Sequence, residues 1–84
     1  MKVIFRVDYD LIELVDAIGL DYDIINVTSD NIKNYQEIEI TIDNVEELIE
    51  DEDLYYSFTD EELCEYLLNP TLCEGLIYTQ KIHD

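Results

Sequence analysis

The sequence predicts a small α+β domain, in which an antiparallel sheet carries two or three helices on one face. Apolar residues alternate with polar ones in several short segments, which is typical of strands. In other segments they recur at helical spacing, and Gly, Pro and Asn separate the segments. The chain of 84 residues makes one domain, 1–84, and its 48% hydrophobic content indicates a folded protein rather than a disordered acidic one.

The chain begins with a predicted strand and helix. Lys2 to Asp8 alternates, which predicts a strand with one buried face formed by Val3, Phe5 and Val7. Asp10, with Glu13 three residues later, resembles a capping box for a first helix over residues 11–18. Gly19 is a natural residue to end that helix.

A hairpin is predicted next. Asp23 to Val27 reads as a short strand, and the turn-forming residues Thr28 to Asn31 follow it. Tyr35 to Ile42 alternates with Ile38, Ile40 and Ile42 inward. The two strands are therefore expected to pair as neighbours.

Two helices are predicted in the second half of the chain. Asn44 caps the first of them, which ends near Asp51 because Leu54 would fall on its polar face. Its apolar face is predicted to contain Val45, Leu48 and Ile49. A loop is expected from there through Phe58.

The last predicted helix begins at a capping box of Thr59 and Glu62 and ends at Asn69-Pro70. Its inward residues are predicted to be Leu63, Tyr66 and Leu67. A final strand runs from Leu76 to Ile82. The element order is β-α-β-β-α-α-β, and merging the last two helices gives the ferredoxin-like order β-α-β-β-α-β.

The net charge of −18 is extreme for this length, and it repels both nucleic acid and anionic lipid. Residues 43–65 contain eleven carboxylates and no Lys, Arg or His. Such a run usually forms a solvated face. Here pairs such as Glu46 and Glu50 repel each other at helical spacing, so the charge is expected to serve a basic partner.

The carboxylates of this stretch are predicted to bind that partner, with two tyrosines as anchors. Rigid tyrosine rings are enriched at interfaces, although either ring could equally fill the core. The predicted contact residues are Glu46, Glu47, Glu50, Asp51, Asp53, Tyr55, Tyr56, Asp60, Glu61 and Glu65.

The size, the charge and the acid-plus-tyrosine stretch from Glu50 to Glu62 resemble the small acidic DNA-mimic inhibitors of phages and mobile elements. These include anti-CRISPR proteins, anti-restriction proteins and inhibitors of uracil-DNA glycosylase. The resemblance favours the anti-CRISPR type. It implies a non-enzymatic inhibitor that blocks the basic DNA-binding cleft of a host defence nuclease, such as Cas9, in the bacterial cytoplasm. An antitoxin or immunity-type protein that neutralises a basic partner is the alternative.

A calcium site is a third hypothesis. The EF-hand-like positions 1, 3, 5, 7, 9 and 12 are occupied by Asp51, Asp53, Tyr55, Ser57, Thr59 and Glu62. However, Tyr56 stands where a glycine normally makes the sharp turn. No cofactor is expected, and the single histidine, His83, lies beside the C-terminus without a catalytic motif around it.

Compartment is predicted from the two cysteines and the N-terminus. Cys64 and Cys73 are too few for a disulfide framework, so both are expected to be small buried thiols in a reducing cytosol. The N-terminal sequence lacks the features of a signal peptide. No apolar run is long enough to cross a bilayer.

Overall fold

The computed structural model describes residues 1–8, 16, 19, 21–29 and 34–83, with residues 26–29 and 34–36 described by their backbone. These residues form one antiparallel sheet in the order β2-β3-β1-β4. The strands are β1 Lys2–Asp8, β2 Tyr22–Ser29, β3 Asn34–Ile42 and β4 Leu76–Ile82. The helices are a 3₁₀ helix Val45–Glu47, then α1 Glu52–Ser57, α2 Asp60–Leu67 and α3 Pro70–Cys73. The predicted α+β class and antiparallel sheet are confirmed.

The sheet places β3 between two parallel strands. β1 and β2 each run antiparallel to β3, so β1 and β2 are parallel with β3 between them. A ferredoxin-like fold requires this arrangement. The predicted helix over residues 11–18 lies outside the described residues except for Asp16, so the ferredoxin-like topology stays a prediction. Gly19 has a φ of +79°, the left-handed conformation that ends helices.

The core lies between one face of the sheet and the helices. β1 and β3 bury alternate side chains, as the sequence predicts, because the strand period of two brings all of them to one face. From the sheet, the fully or nearly fully buried residues are Val3, Phe5, Val7, Ile38, Ile40 and Ile42. From the helical side they are Val45, Ile49, Tyr55, Leu63, Cys64, Leu68 and Leu72.

The prediction for residues 44–58 is wrong in its boundaries. The expected helix is only the 3₁₀ turn, and the Asn44 side chain makes no capping hydrogen bond. The expected loop is instead the helix α1. Its cap is Asp51, whose carboxylate accepts hydrogen bonds from the backbone N–H groups of Asp53 and Leu54. Leu48, predicted to be inward, is 54% exposed because the helix that would have buried it ends before it.

The capping box that starts α2 is confirmed. The Thr59 hydroxyl accepts from the Glu62 N–H, and the Glu62 carboxylate accepts from the Thr59 N–H. α2 ends before Asn69, as predicted, but Asn69 and Pro70 also begin the short helix α3. Tyr66, predicted to be inward, is 57% exposed.

A disulfide joins Cys64 of α2 to Cys73 of α3, with 5.9 Å between their Cα atoms. The prediction of two reduced thiols is therefore wrong, although Cys64 is fully buried as expected. The pairing depends on the turn at Asn69-Pro70, which folds α3 back against α2. The separation of nine residues in the sequence does not by itself predict that the two sulfur atoms come together.

Reduction of this disulfide should lower the free energy of unfolding by about 2.5 kcal/mol, because it releases a closed loop of about ten residues in the unfolded chain. Urea denaturation with and without a phosphine reductant measures the difference. Cys73→Ser serves as the matched control, since its stability should equal that of the reduced chain and should not respond to reductant. Equal stability of oxidised and reduced protein would contradict the expectation.

Gly75 allows β4 to begin close to the end of β1. The Asp8 N–H donates to the Gly75 carbonyl at 2.7 Å, and a Cβ atom at Gly75 would overlap the Asp8 carbonyl oxygen. The β1–β4 register then shifts between Arg6 and Val7, where Ile77 is the extra residue on β4. A glycine is required here for close approach of two backbones.

Candidate functional site

The helices and their connections place a continuous acidic segment on the outside of the fold. We call residues 43–65 the acidic layer. All eleven of its carboxylate side chains are exposed, and the segment contains no basic residue. Lys81 lies beneath the layer, and its ammonium group donates to the Phe58 carbonyl at 2.5 Å and is therefore directed at the backbone.

Several carboxylates of the acidic layer have local structural roles. Glu46 accepts a 2.7 Å hydrogen bond from the N-terminal ammonium of Met1, and this bond is the main reason that the pKa of Glu46 is lowered. Asp51 caps α1, and Glu62 completes the capping box of α2. These three side chains are held by the fold and are less available to a partner.

Glu52 connects the layer to the end of the sheet. Its Oε1 lies 2.9 Å from Nε2 of His83, which follows β4. The Tyr56 ring lies beside this pair, with its centroid 6.1 Å from that of the His83 ring. Both members of the pair are about half exposed, so the contact contributes little to stability.

The remaining carboxylates make no hydrogen bond or ion pair within the described part of the chain. In the predicted contact set these are Glu47, Glu50, Asp53, Asp60, Glu61 and Glu65. The other two predicted acidic contacts, Glu46 and Asp51, are the ones with structural partners. A cation of a partner would therefore bind more readily to the six carboxylates without a partner than to Glu46 or Asp51.

The two predicted anchor tyrosines have different positions. Tyr55 is fully buried, and its hydroxyl donates to the Lys2 carbonyl at 2.8 Å, so it belongs to the core and is not available as an anchor. Tyr56 is 44% exposed and packs edge-on against Tyr55 with 4.8 Å between ring centroids. Tyr66, which the helical pattern placed inward, is exposed and pairs with Phe58 at 5.5 Å. The exposed rings are thus Tyr56, within the layer, and Tyr66, which directly follows it.

An open groove of about 260 Å³ lies where α2 meets α3. Its lining combines three carboxylates, a proline and one half of the disulfide: Glu61, Glu65, Glu74, Pro70 and Cys73. The disulfide fixes the groove by holding the two helices together. A long basic side chain, with an apolar stem and a charged end, suits such a lining.

The calcium hypothesis requires a loop between two helices at residues 51–62. The structure places α1 there instead, with Tyr55 buried and the carboxylates of Asp51 and Glu62 accepting capping hydrogen bonds. Among the described residues, no group of three or more His, Cys, Asp or Glu side chains is arranged to hold a metal ion. The EF-hand interpretation is not supported by this geometry.

Every helix in the described ranges is too short or too polar to cross a lipid bilayer. Comparisons with protein-family models, with curated proteins and with solved structures find no match to this chain.

Proposed function

We propose that this protein is a non-enzymatic inhibitor that presents carboxylates in place of nucleic-acid phosphates and so blocks the basic DNA-binding cleft of another protein. The observation that carries the proposal is the acidic layer, in which every carboxylate is exposed and none has a basic neighbour within the segment. Repulsion among these groups opposes compact folding. A basic partner would offset that repulsion on binding.

The spacing of the unpaired carboxylates supports mimicry of phosphates. Glu61 and Glu65 stand one helical turn apart on α2, which separates their Cβ atoms by about 5–6 Å. Phosphates along one DNA strand advance about 3.4 Å per charge. One value is a Cβ separation and the other a rise along the axis, but both place neighbouring negative charges within a few ångströms. Long Arg and Lys side chains in a cleft could reach either set of charges.

The exposed aromatic rings add a contact that charge alone lacks. Tyr56 lies within the layer and Tyr66 directly follows it, and both rings are about half exposed. Arg guanidinium groups stack on aromatic faces while they bind carboxylates, so one partner arginine could make both contacts. A cleft that places arginines against both the rings and the carboxylates would therefore bind this protein more tightly than a surface with positive charge alone.

The proposed partner is a basic nucleic-acid-binding protein, with a CRISPR effector nuclease in a host bacterial cytoplasm as the favoured case. The disulfide bears on that location, because disulfides are rare in the cytosol. An inhibitor that acts there would have to remain folded with both thiols reduced. The proposal therefore includes activity of the reduced chain.

Competition with DNA tests this function. Binding of the reduced chain to a purified, guide-loaded CRISPR effector should be lost when the matching DNA is added first. The dissociation constant should rise about tenfold or more between about 0.05 and 0.2 M salt, because the attraction is screened. Binding that DNA does not displace would point to an immunity-type protein that binds elsewhere. No binding to the effector would rule out the favoured target.

A further inference from the structure

The face of the sheet opposite the acidic layer has a different character. Side chains alternate across a strand, so the residues between the buried ones point away from the core. No described helix packs there. We call this surface the open face. Its described residues include Asp23 of β2, Glu37, Glu39 and Thr41 of β3, Lys2, Ile4, Arg6 and Asp8 of β1, and Tyr78, Gln80 and Ile82 of β4.

One row of four residues crosses the middle of the open face. Asp23 is opposite Glu39, Glu39 is opposite Arg6, and Arg6 is opposite Tyr78. The row is thus acidic on β2 and β3 and carries a cation and a ring on β1 and β4. Asp23 and Glu39 are like charges placed side by side, which destabilises a sheet unless a cation compensates.

Arg6 is the cation of that row. Its Cζ lies 5.7 Å from the centre of the Tyr78 ring, in cation–π contact. Its Nε is buried and has no hydrogen-bond partner, and Arg6 forms no ion pair with any described carboxylate. The guanidinium is therefore held against Tyr78, and its charge has no carboxylate partner among the described residues.

We propose that the open face binds a second copy of this chain, with the two-fold axis parallel to the strands. That axis places β1 of one copy over β3 of the other, and β4 over β2. Because Arg6 and Glu39 share a row, Arg6 of each copy meets Glu39 of the other. By the same operation, the Tyr78 hydroxyl of each copy meets the carboxylate of Asp23 in the other. Every contact forms twice, as a two-fold interface requires.

The neighbouring rows agree with this axis except at one end. Ile4 would meet Thr41 of the second copy. Asp8 would meet Glu37, an unfavourable pair. Facing sheets cross at about 30°, which separates such end rows more than the central ones.

The size of the face indicates a reversible dimer. Four strands about 4.8 Å apart and about seven residues long cover roughly 20 by 23 Å. Pairing two such faces would bury on the order of 1,000 Å², which is at the lower limit for specific interfaces. We therefore expect a dissociation constant in the micromolar range. Pairing through the acidic layer would instead place carboxylates against carboxylates, which excludes that surface as the self-contact.

This dimer would carry its two acidic layers on opposite outer surfaces, since each layer lies on the far side of its sheet from the open face. Both layers would remain accessible. The dimer could then engage two basic sites, or two parts of a long cleft. The inference uses a surface other than that of the proposed inhibition and does not depend on it.

Sedimentation velocity over a concentration series tests the dimer. Arg6→Glu and Glu39→Arg should each raise the dimer dissociation constant by about 100-fold or more, because two attractive contacts become repulsive. The double variant, with both changes, should restore dimerisation because it exchanges the charges. Glu61→Arg is the matched control for Glu39→Arg, as it changes the net charge equally on the acidic layer, and it should leave the dimer intact.

Two results would overturn the inference. One is a wild-type chain that stays monomeric throughout the micromolar range. The other is a dimer that Glu39→Arg and Glu61→Arg weaken equally, because that would reflect net charge and not the row. Thermal melting of each variant confirms folding, and recovery in the double variant distinguishes lost contacts from lost structure.

Discussion

Tyr55→Ala should lower the free energy of unfolding by about 3–5 kcal/mol, the range measured for truncation of large buried aromatic residues. Tyr55 is fully buried between the sheet and the helices, and its hydroxyl donates to the Lys2 carbonyl. The variant would lose the ring and leave that carbonyl without this donor. A chain of this length has a total stability of only about 4–13 kcal/mol, so little would remain.

Urea denaturation of three variants separates the two adjacent tyrosines. Tyr55→Phe keeps the ring and loses the hydrogen bond, so it should cost about 1 kcal/mol. Tyr56→Ala removes a half-exposed ring and should cost about 1 kcal/mol or less. If Tyr55→Ala were as stable as Tyr56→Ala, the placement of Tyr55 in the core would be wrong.

The pH dependence of stability gives an independent test of the burial of the Tyr55 hydroxyl. Burial raises the pKa of its hydroxyl above the ordinary value of 10.0. Ionisation is then easier in the unfolded chain, so the stabilisation is complete below pH 10.0 and is lost as pH rises through the folded-state pKa. Tyr55→Phe should show a smaller loss of stability above that pH than the wild type, and an unchanged loss would contradict this.

Local signals in the sequence were sufficient for the strands and for α2. Strict alternation in Lys2–Asp8 and Ile38–Ile42 identifies a buried face without knowledge of the partner strands. The Thr59 capping box identifies a helix start in the same way, because both hydrogen bonds lie within four residues.

The centre of the candidate site was harder to predict because two helix starts compete there. Asn44 and Asp51 both precede apolar residues at helical spacing, and only Asp51 makes capping hydrogen bonds. The sequence also cannot say which of Tyr55 and Tyr56 turns inward. That choice depends on the hydrogen bond from the Tyr55 hydroxyl to the Lys2 carbonyl. Lys2 is far from Tyr55 in the sequence, and only the folded sheet brings the two together.

The disulfide is also difficult to predict from the sequence, and it bears on the compartment in which the protein acts. Burial of Cys64 follows from the apolar face of α2, while the bond to Cys73 follows from the tertiary turn between α2 and α3. The expectation of a reducing compartment depends on the number of cysteines and on the N-terminal sequence, and neither indicates whether the two sulfur atoms meet. Whether the two cysteines are bonded can be measured directly in the protein isolated from its cell. The result bears on whether the protein acts in an oxidising or a reducing compartment.

Charge reversal of Glu50, Asp53 and Glu61 to Lys should raise the dissociation constant for the basic partner by about 1,000-fold or more. Each of these carboxylates is exposed and makes no described hydrogen bond or ion pair, so each is available to a cation of the cleft. Like charges brought together in an interface cost several kcal/mol. Glu46 is left unchanged because it binds the N-terminal ammonium. Relief of charge repulsion favours the fold, while Lys in the first turns of α1 and α2 opposes the helix dipoles, so stability should change by about 1 kcal/mol or less.

The matched control reverses Asp21, Asp23 and Glu37, which changes the net charge equally but lies outside the acidic layer. Because Asp23 and Glu37 belong to the open face, both triple variants are compared at nanomolar concentration, where the proposed dimer is dissociated. Long-range steering depends on net charge and should slow association similarly in both triple variants. Short-range contacts depend on position, so only the acidic-layer variant should dissociate much faster. Surface plasmon resonance separates the two rates. Equal dissociation rates would show that charge alone attracts the partner, and an unaltered acidic-layer variant would place the interface elsewhere on the chain.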